Sequence, residues 1–197
     1  MGVGCAVLTE TKLTDDRYPK FVQGSHVIAS RATSPQQGGI ALLWRESENL
    51  GFLVEAVSIV SPNVLTFQLV TGGVRFFVMG AYIPPADTTG VDDIRDAWGK
   101  CPTNCKPLLI GDLNINFGSP RSEQEEIIVD LIEEINLANI SQKFCQWWNG
   151  RQGGGRWTWR QRRGRQWHQS QPDYCMARDG DTKLFWNVVI RRPRIRP

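Results

Sequence analysis

At 197 residues, with 41% hydrophobic and 22% charged residues, the chain has the size and composition of one globular domain with a core of its own. No apolar run approaches the roughly 18 residues of a bilayer-spanning helix, and the first nine residues lack the basic start of a signal peptide, which points to a soluble, intracellular protein. The net charge of +3 conceals an asymmetry: residues 1–140 carry 10 Lys/Arg against 17 Asp/Glu (net −7) and residues 141–197 carry 13 against 3 (net +10), so the basic end is the footprint expected of a polyanionic partner.

Residues 4–9 read as a short strand that delivers a carboxylate, Glu10, at its end. Taken alone, such an acid is more often solvated surface than ligand. Residues 38–44 form a second apolar run, opened by Gly38 and Gly39, and residues 52–59 and 64–71 follow at strand-like spacing. In the last of these, Leu65, Phe67 and Leu69 alternate with Thr66 and Gln68, the pattern of a half-buried strand. Gly72-Gly73 turns the chain into a further strand, residues 74–80, which makes an antiparallel meander. Pro84 and Pro85 end it and leave Tyr82 at its mouth. Val91, Ile94, Ala97 and Trp98 recur at helical spacing.

Pro107-Leu108-Leu109-Ile110 is a buried-strand signature that stops at Gly111 and presents Asp112 and Asn114 two residues apart. Two readings fit these residues: an Asx-type turn, in which the side chains bond nearby backbone, and a site at a strand end, where open sheets carry chemistry. The clearest helix follows. Ser122 and Glu125 make a capping-box pair, acids crowd the first turn, and Ile127, Ile128, Leu131, Ile132 and Ile135 form one apolar stripe.

Beyond Cys145 the composition changes to tryptophans, Trp157, Trp159 and Trp167 among them, interleaved with Arg156, Arg160, Arg162, Arg163 and Arg165. Arginine pairs with phosphates and tryptophan offers a flat face to bases; a surface hairpin with arginines covering tryptophans fits equally well. Asp173 then enters another strand, and residues 184–190 read as a last one. Cys5, Cys101, Cys105, Cys145 and Cys175 are an odd number without paired metal-ligand spacing, so reduced thiols are expected.

Each acid alone is weak, but the ordered set is not. Glu10-Thr11 after one strand, Gly38-Gly39 before another, Tyr82-x-Pro84, Gly111-Asp112-x-Asn114, Trp157-Thr158-Trp159 and Ser170-x-x-Asp173-Tyr174 together resemble the endonuclease/exonuclease/phosphatase superfamily. Within it, the chain is most similar to the apurinic-type endonuclease domain of LINE-type (non-LTR) retrotransposons, over nearly its whole length. The resemblance implies a DNase-I-like four-layer α/β sandwich, with two mixed β-sheets face to face and helices outside. It also implies metal-dependent hydrolysis of a DNA phosphodiester, nicking a target strand to prime a downstream reverse transcriptase domain, with nuclear localisation and no membrane partner.

By matching motif, Glu10 would bind Mg²⁺, or Mn²⁺ in its place. Asp112 would orient or deprotonate the attacking water, Asn114 would hold a phosphate oxygen or assist the metal, and Tyr82 would donate a hydrogen bond to the phosphate. Asp173 in this family orients a histidine, Thr158 and Trp159 support the site, and Arg156 and Arg160 face DNA.

The family opens on a strand bearing a site asparagine and closes on a Ser-Asp-His strand. Neither is found here, and the two histidines, His26 and His168, lie in no such motif. The chain therefore reads as a single domain, residues 1–197, truncated at both ends and weakly active or inactive. The alternatives are a non-catalytic nucleic-acid-binding module of the same fold and a phosphatase acting on small phosphoesters.

Overall fold

The apolar runs become strands in a computed structural model that describes residues 4–15, 18, 20–45, 51–85, 87–117, 120–140, 159–163, 166–170 and 173–185. β1 (Cys5–Thr9), β2 (Phe21–Val22), β3 (Ser25–Ala29) and β4 (Ile40–Trp44) form an antiparallel sheet in the order β1-β4-β3-β2. β5 (Phe52–Ser61), β6 (Val64–Thr71), β7 (Val74–Tyr82), β8 (Lys106–Asp112), β9 (Ala138–Asn139) and β12 (Asp173–Ala177) form a second sheet in the order β5-β6-β7-β8-β12-β9. In this sheet β7 and β8 run parallel, a connection that needs a crossover, and α1 (Thr89–Gly99) supplies it. β10 (Trp159–Arg163) and β11 (Gln166–Ser170) make a separate hairpin. α2 (Glu123–Glu134) follows β8, and a 3₁₀ helix, Asp179–Leu184, follows β12.

Strand β7 shows how the layers stack. Its even positions, Phe76 and Val78, join Ile40 and Leu42 of β4, Leu65 and Phe67 of β6 and Leu108 of β8 in a core between the two sheets. Its odd positions, Phe77, Met79 and Ala81, join Val91, Ile94 and Ala97 of α1 and Ile128, Leu131 and Ile132 of α2 in a second core under the helices. The alternation of side chains along a strand thus puts β7 in both cores at once. The meander β5-β6-β7 forms as expected, with Gly72 and Gly73 at φ +55° and +76° in a two-residue turn closed by the Thr71–Val74 pair. Both central residues of such a turn need positive φ, which is why glycine fills them.

Several expectations are corrected. The run at residues 38–44 does not join the meander but crosses to the other sheet as β4. The sheet it joins is antiparallel throughout its described strands, so only the larger sheet is mixed. β6 is not half-buried along its length: Val64, Leu65, Thr66 and Phe67 are all buried, because helices cover one face and the other sheet covers its opposite. Ile127 turns outward from the stripe of α2, 37% exposed, whereas Ile128, Leu131, Ile132 and Ile135 are buried. Leu184 ends the 3₁₀ helix rather than opening a strand, and residues 186–190 lie outside those described. Cys5, Cys101, Cys105 and Cys175 are free thiols. Among the described residues no helix is long and apolar enough to cross a membrane.

Candidate active site

One mouth of the sandwich collects strand ends from both sheets. Tyr82, the last residue of β7, pairs in register with Asp112, the last residue of β8, and Asp112 pairs in turn with Asp173, the first residue of β12. Glu10 arrives from the other sheet, one residue past β1. The link across the sandwich is a hydrogen bond of 2.6 Å in which the Tyr82 hydroxyl donates to Glu10 Oε1. Glu10, Tyr82 and Asp112, spread over more than a hundred positions of sequence, are therefore assembled by the ends of three strands, and Asp173 enters the same row by backbone register.

Local geometry fixes each group. Glu10 and Lys12 take left-handed φ values of 52° and 57°, unusual for residues with long side chains. The next strand holds the segment in place: Thr11 N–H donates to Gly39 O at 3.2 Å and Lys12 N–H to Gly38 O at 3.1 Å. Lys12 Nζ lies 3.8 Å from Glu10 Oε2, so the half-exposed carboxylate has a phenol on one oxygen and an ammonium near the other. Gly111 takes φ +146°, and a Cβ there would overlap the Ala81 carbonyl oxygen of β7, so only glycine lets the two strands approach. Ile83 N–H then donates to Asp112 O at 2.9 Å, which extends the pairing past the strand ends.

The Asx turn weighed for Asp112 is present: Asn114 N–H donates to Asp112 Oδ1 at 3.0 Å, with Asn114 at φ 50°. It coexists with the site, since the bond orients the carboxylate as well as the turn. Asn114 Nδ2 donates to Ile83 O at 3.0 Å and so ties this loop to the exit of β7. Tyr82 is buried, and its pKa is raised first by burial, then by its hydrogen bond to Glu10, with the negative charges of Glu10 and Asp112 adding to the effect. The hydroxyl thus keeps its proton and remains a donor at neutral pH.

Of the remaining candidates, Trp159 and Arg160 open β10 opposite Ser170 and Gln169, while Thr158 and Arg156 lie outside the described residues. His26 is not at this mouth. It pairs with Trp44, which pairs with Cys5, at the end of the smaller sheet opposite Thr9 and Ile40, and its ring stacks on Trp44 at 5.1 Å. His168 sits in the β10–β11 hairpin. Lys12 is the one described residue at this mouth that the sequence reading does not single out; its signal is an ammonium two positions from a candidate metal acid.

Among the described residues no group of three or more His, Cys, Asp and Glu side chains forms a closed metal cage. The donors at the mouth are oxygens, from Glu10 and Asp112. That suits Mg²⁺ or Mn²⁺, since Mg²⁺ is typically held by one or two carboxylates with waters and substrate phosphates completing its shell.

The stacked sheets, the helices over the larger one and the row of strand ends define a DNase-I-like fold, that of endonuclease/exonuclease/phosphatase-type domains. The chain is similar to the endonuclease domain of TRAS1, a telomere-specific non-LTR retrotransposon, at 16% identity and a TM-score of 0.61, covering 92% of this chain and 75% of that one. It is similar to the AP endonuclease LMAP from Leishmania major at 14% identity and a TM-score of 0.63, covering 91% of this chain and 71% of that one. The 3′-5′ exonuclease NExo from Neisseria meningitidis aligns at 17% identity and a TM-score of 0.61, over 93% and 79% of the two chains. No protein-family profile matches the sequence, and no curated protein matches it.

Proposed function

We propose that this chain is a nuclease of the retrotransposon-endonuclease type that hydrolyses a DNA phosphodiester with the help of Mg²⁺ or Mn²⁺. The observation that carries the reading is the Glu10–Tyr82–Asp112 cluster: two carboxylates and a protonated phenol drawn from both sheets to one mouth, with Asp173 in register beside Asp112. DNA as substrate is supported by the structural neighbours, which are endonucleases and an exonuclease, and by the +10 charge of residues 141–197. In a retrotransposon the product would prime a reverse transcriptase.

Glu10 would hold the cation, whose chemistry when bound is to neutralise charge developing on the phosphate. Asp112, its carboxylate oriented by the Asn114 N–H, would position a water and take its proton as the water oxygen attacks phosphorus. The P–O3′ bond would break, the departing O3′ would take a proton from solvent water, and a 3′-hydroxyl and a 5′-phosphate would be left. Tyr82 would steady a phosphate oxygen, for which its hydroxyl must turn from Glu10 or share its proton. Asn114, its amide on Ile83 O, holds the loop that carries Asp112.

A supercoiled-plasmid nicking assay tests the reading. Nicking that requires Mg²⁺ or Mn²⁺, and that Asp112→Ala abolishes, is the expected result, weak in absolute rate because neither histidine lies in the family's Ser-Asp-His motif. Positioned proton transfer contributes roughly 10²- to 10⁴-fold, which sets the scale of what a histidine in that motif would add. Binding to DNA that weakens with salt, without nicking in either metal, would instead identify a non-catalytic binding module.

A further inference from the structure

The loop after Asp112 is held largely from outside. Leu113 and Ile115 sink into the core under the helices, 0% and 4% exposed, and residues 113–117 belong to no helix or strand. Their main-chain groups must find partners elsewhere. Two side chains from distant elements supply them.

Tyr174 of β12 donates its hydroxyl hydrogen to Ile115 O at 2.9 Å and accepts the Phe117 N–H at 3.3 Å. Its ring is buried and lies 6.2 Å from that of Phe117. Glu125, in the first turn of α2, accepts the Asn116 N–H at 3.3 Å and the Arg121 N–H at 2.9 Å through one oxygen, Oε2. Together they take up backbone groups of three successive residues, 115 to 117, directly downstream of the Asp112–Asn114 turn. One oxygen atom of Tyr174 makes two of those bonds, so the phenol fixes distance as well as satisfying polarity. A reacting carboxylate must be held within about 0.5 Å of its productive position, and a five-residue coil does not hold itself that well.

Resting on the nuclease reading above, we infer that Tyr174 and Glu125 are positioning residues that hold the Asp112 loop in the conformation the reaction uses. Neither has to touch the substrate. Tyr174 follows Asp173, the register partner of Asp112, so the clamping hydroxyl comes from the strand position next to the site row.

The test uses Tyr174→Phe, which keeps the ring and removes one oxygen, and Glu125→Ala beside Glu125→Gln, which retains an acceptor. Ile94→Val in α1 serves as a control with a comparably small loss of stability: it shares the core under the helices with Leu113 and Ile115 but offers the loop no hydrogen bond. Amide hydrogen exchange at Phe117 should accelerate about tenfold in Tyr174→Phe, as expected when a protected amide loses its acceptor. The nicking kcat should fall by roughly 10- to 100-fold in Tyr174→Phe and Glu125→Ala, the scale of a misplaced reacting group. KM should stay within about twofold, because ground-state binding is untouched. Glu125→Gln should recover most of the rate, and Ile94→Val should match the wild type. Unchanged Phe117 exchange in Tyr174→Phe, or a kcat no lower than that of Ile94→Val, overturns the inference. A wild-type chain that does not nick in either metal, with Phe117 exchange still accelerated by Tyr174→Phe, overturns the nuclease reading instead and supports the clamp.

Discussion

At Gly111 the strands β7 and β8 come so close that a single added carbon would collide with the Ala81 carbonyl. Gly111→Ala must therefore push apart the pair of residues, Tyr82 and Asp112, that forms the centre of the site. Urea unfolding should show a loss of at least about 1–3 kcal/mol, the scale of a backbone held in a disfavoured region, and nicking should disappear with it. Tyr82→Phe is milder: the abandoned Glu10 oxygen is half-exposed and water can solvate it, so the expected loss is about 0.5–1.5 kcal/mol. Glu10, Tyr82 and Asp112 were legible in the sequence because each is a polar group placed where an apolar run ends. The reason for Gly111 was not. A glycine before an acid reads as freedom to turn, whereas here it makes room for a neighbouring strand that the sequence does not announce.

The helices and strands show where local pattern suffices. Ser122 was readable as the cap of α2, and its oxygen accepts the Glu125 N–H at 3.3 Å; Ser122→Ala should lower stability by about 1 kcal/mol in the same urea assay. The reciprocal arm of the expected box is different. Glu125 reaches back to Arg121 and Asn116 instead of to Ser122, because the loop beneath needs the acceptor more than the cap residue does. A pattern of four residues cannot reveal a third party. Partner choice was equally hidden: β4 and β5 are both apolar runs of β-branched and aliphatic residues, and nothing in their periodicity says that they belong to different sheets. Thr66 looked like the solvent side of a strand, yet it is 4% exposed, since burial depends on what lies across the sheet. The short β2–β3 hairpin and β9 were missed because β2 and β9 have two residues each, too few for a period, and β3 opens on Ser25 and His26 rather than on an apolar run.

Across the whole molecule, burial couples stability to pH. The Cys5 thiol is pushed up from its ordinary 9.0 to about 11, and the Cys175 thiol to about 12, both by burial; Tyr82 moves in the same direction. In each case the folded chain keeps a proton that the unfolded chain gives up. The stabilisation is therefore complete below the ordinary thiol value and is lost as pH rises from about 9 through about 11 to 12. Urea midpoints measured under reducing conditions should fall steadily above that onset, and Cys175→Ala should flatten the decline. The same whole-molecule view applies to time. The Glu10–Tyr82 bond joins positions 72 apart and the Tyr174–Ile115 bond positions 59 apart, and contacts between such distant segments form late in folding. During synthesis, a chain that has not yet extended past residue 174 lacks both β12 and the hydroxyl that clamps the Asp112 loop. The row of strand ends at the candidate site would therefore be complete, with Asp173 beside Asp112, only once β12 has docked.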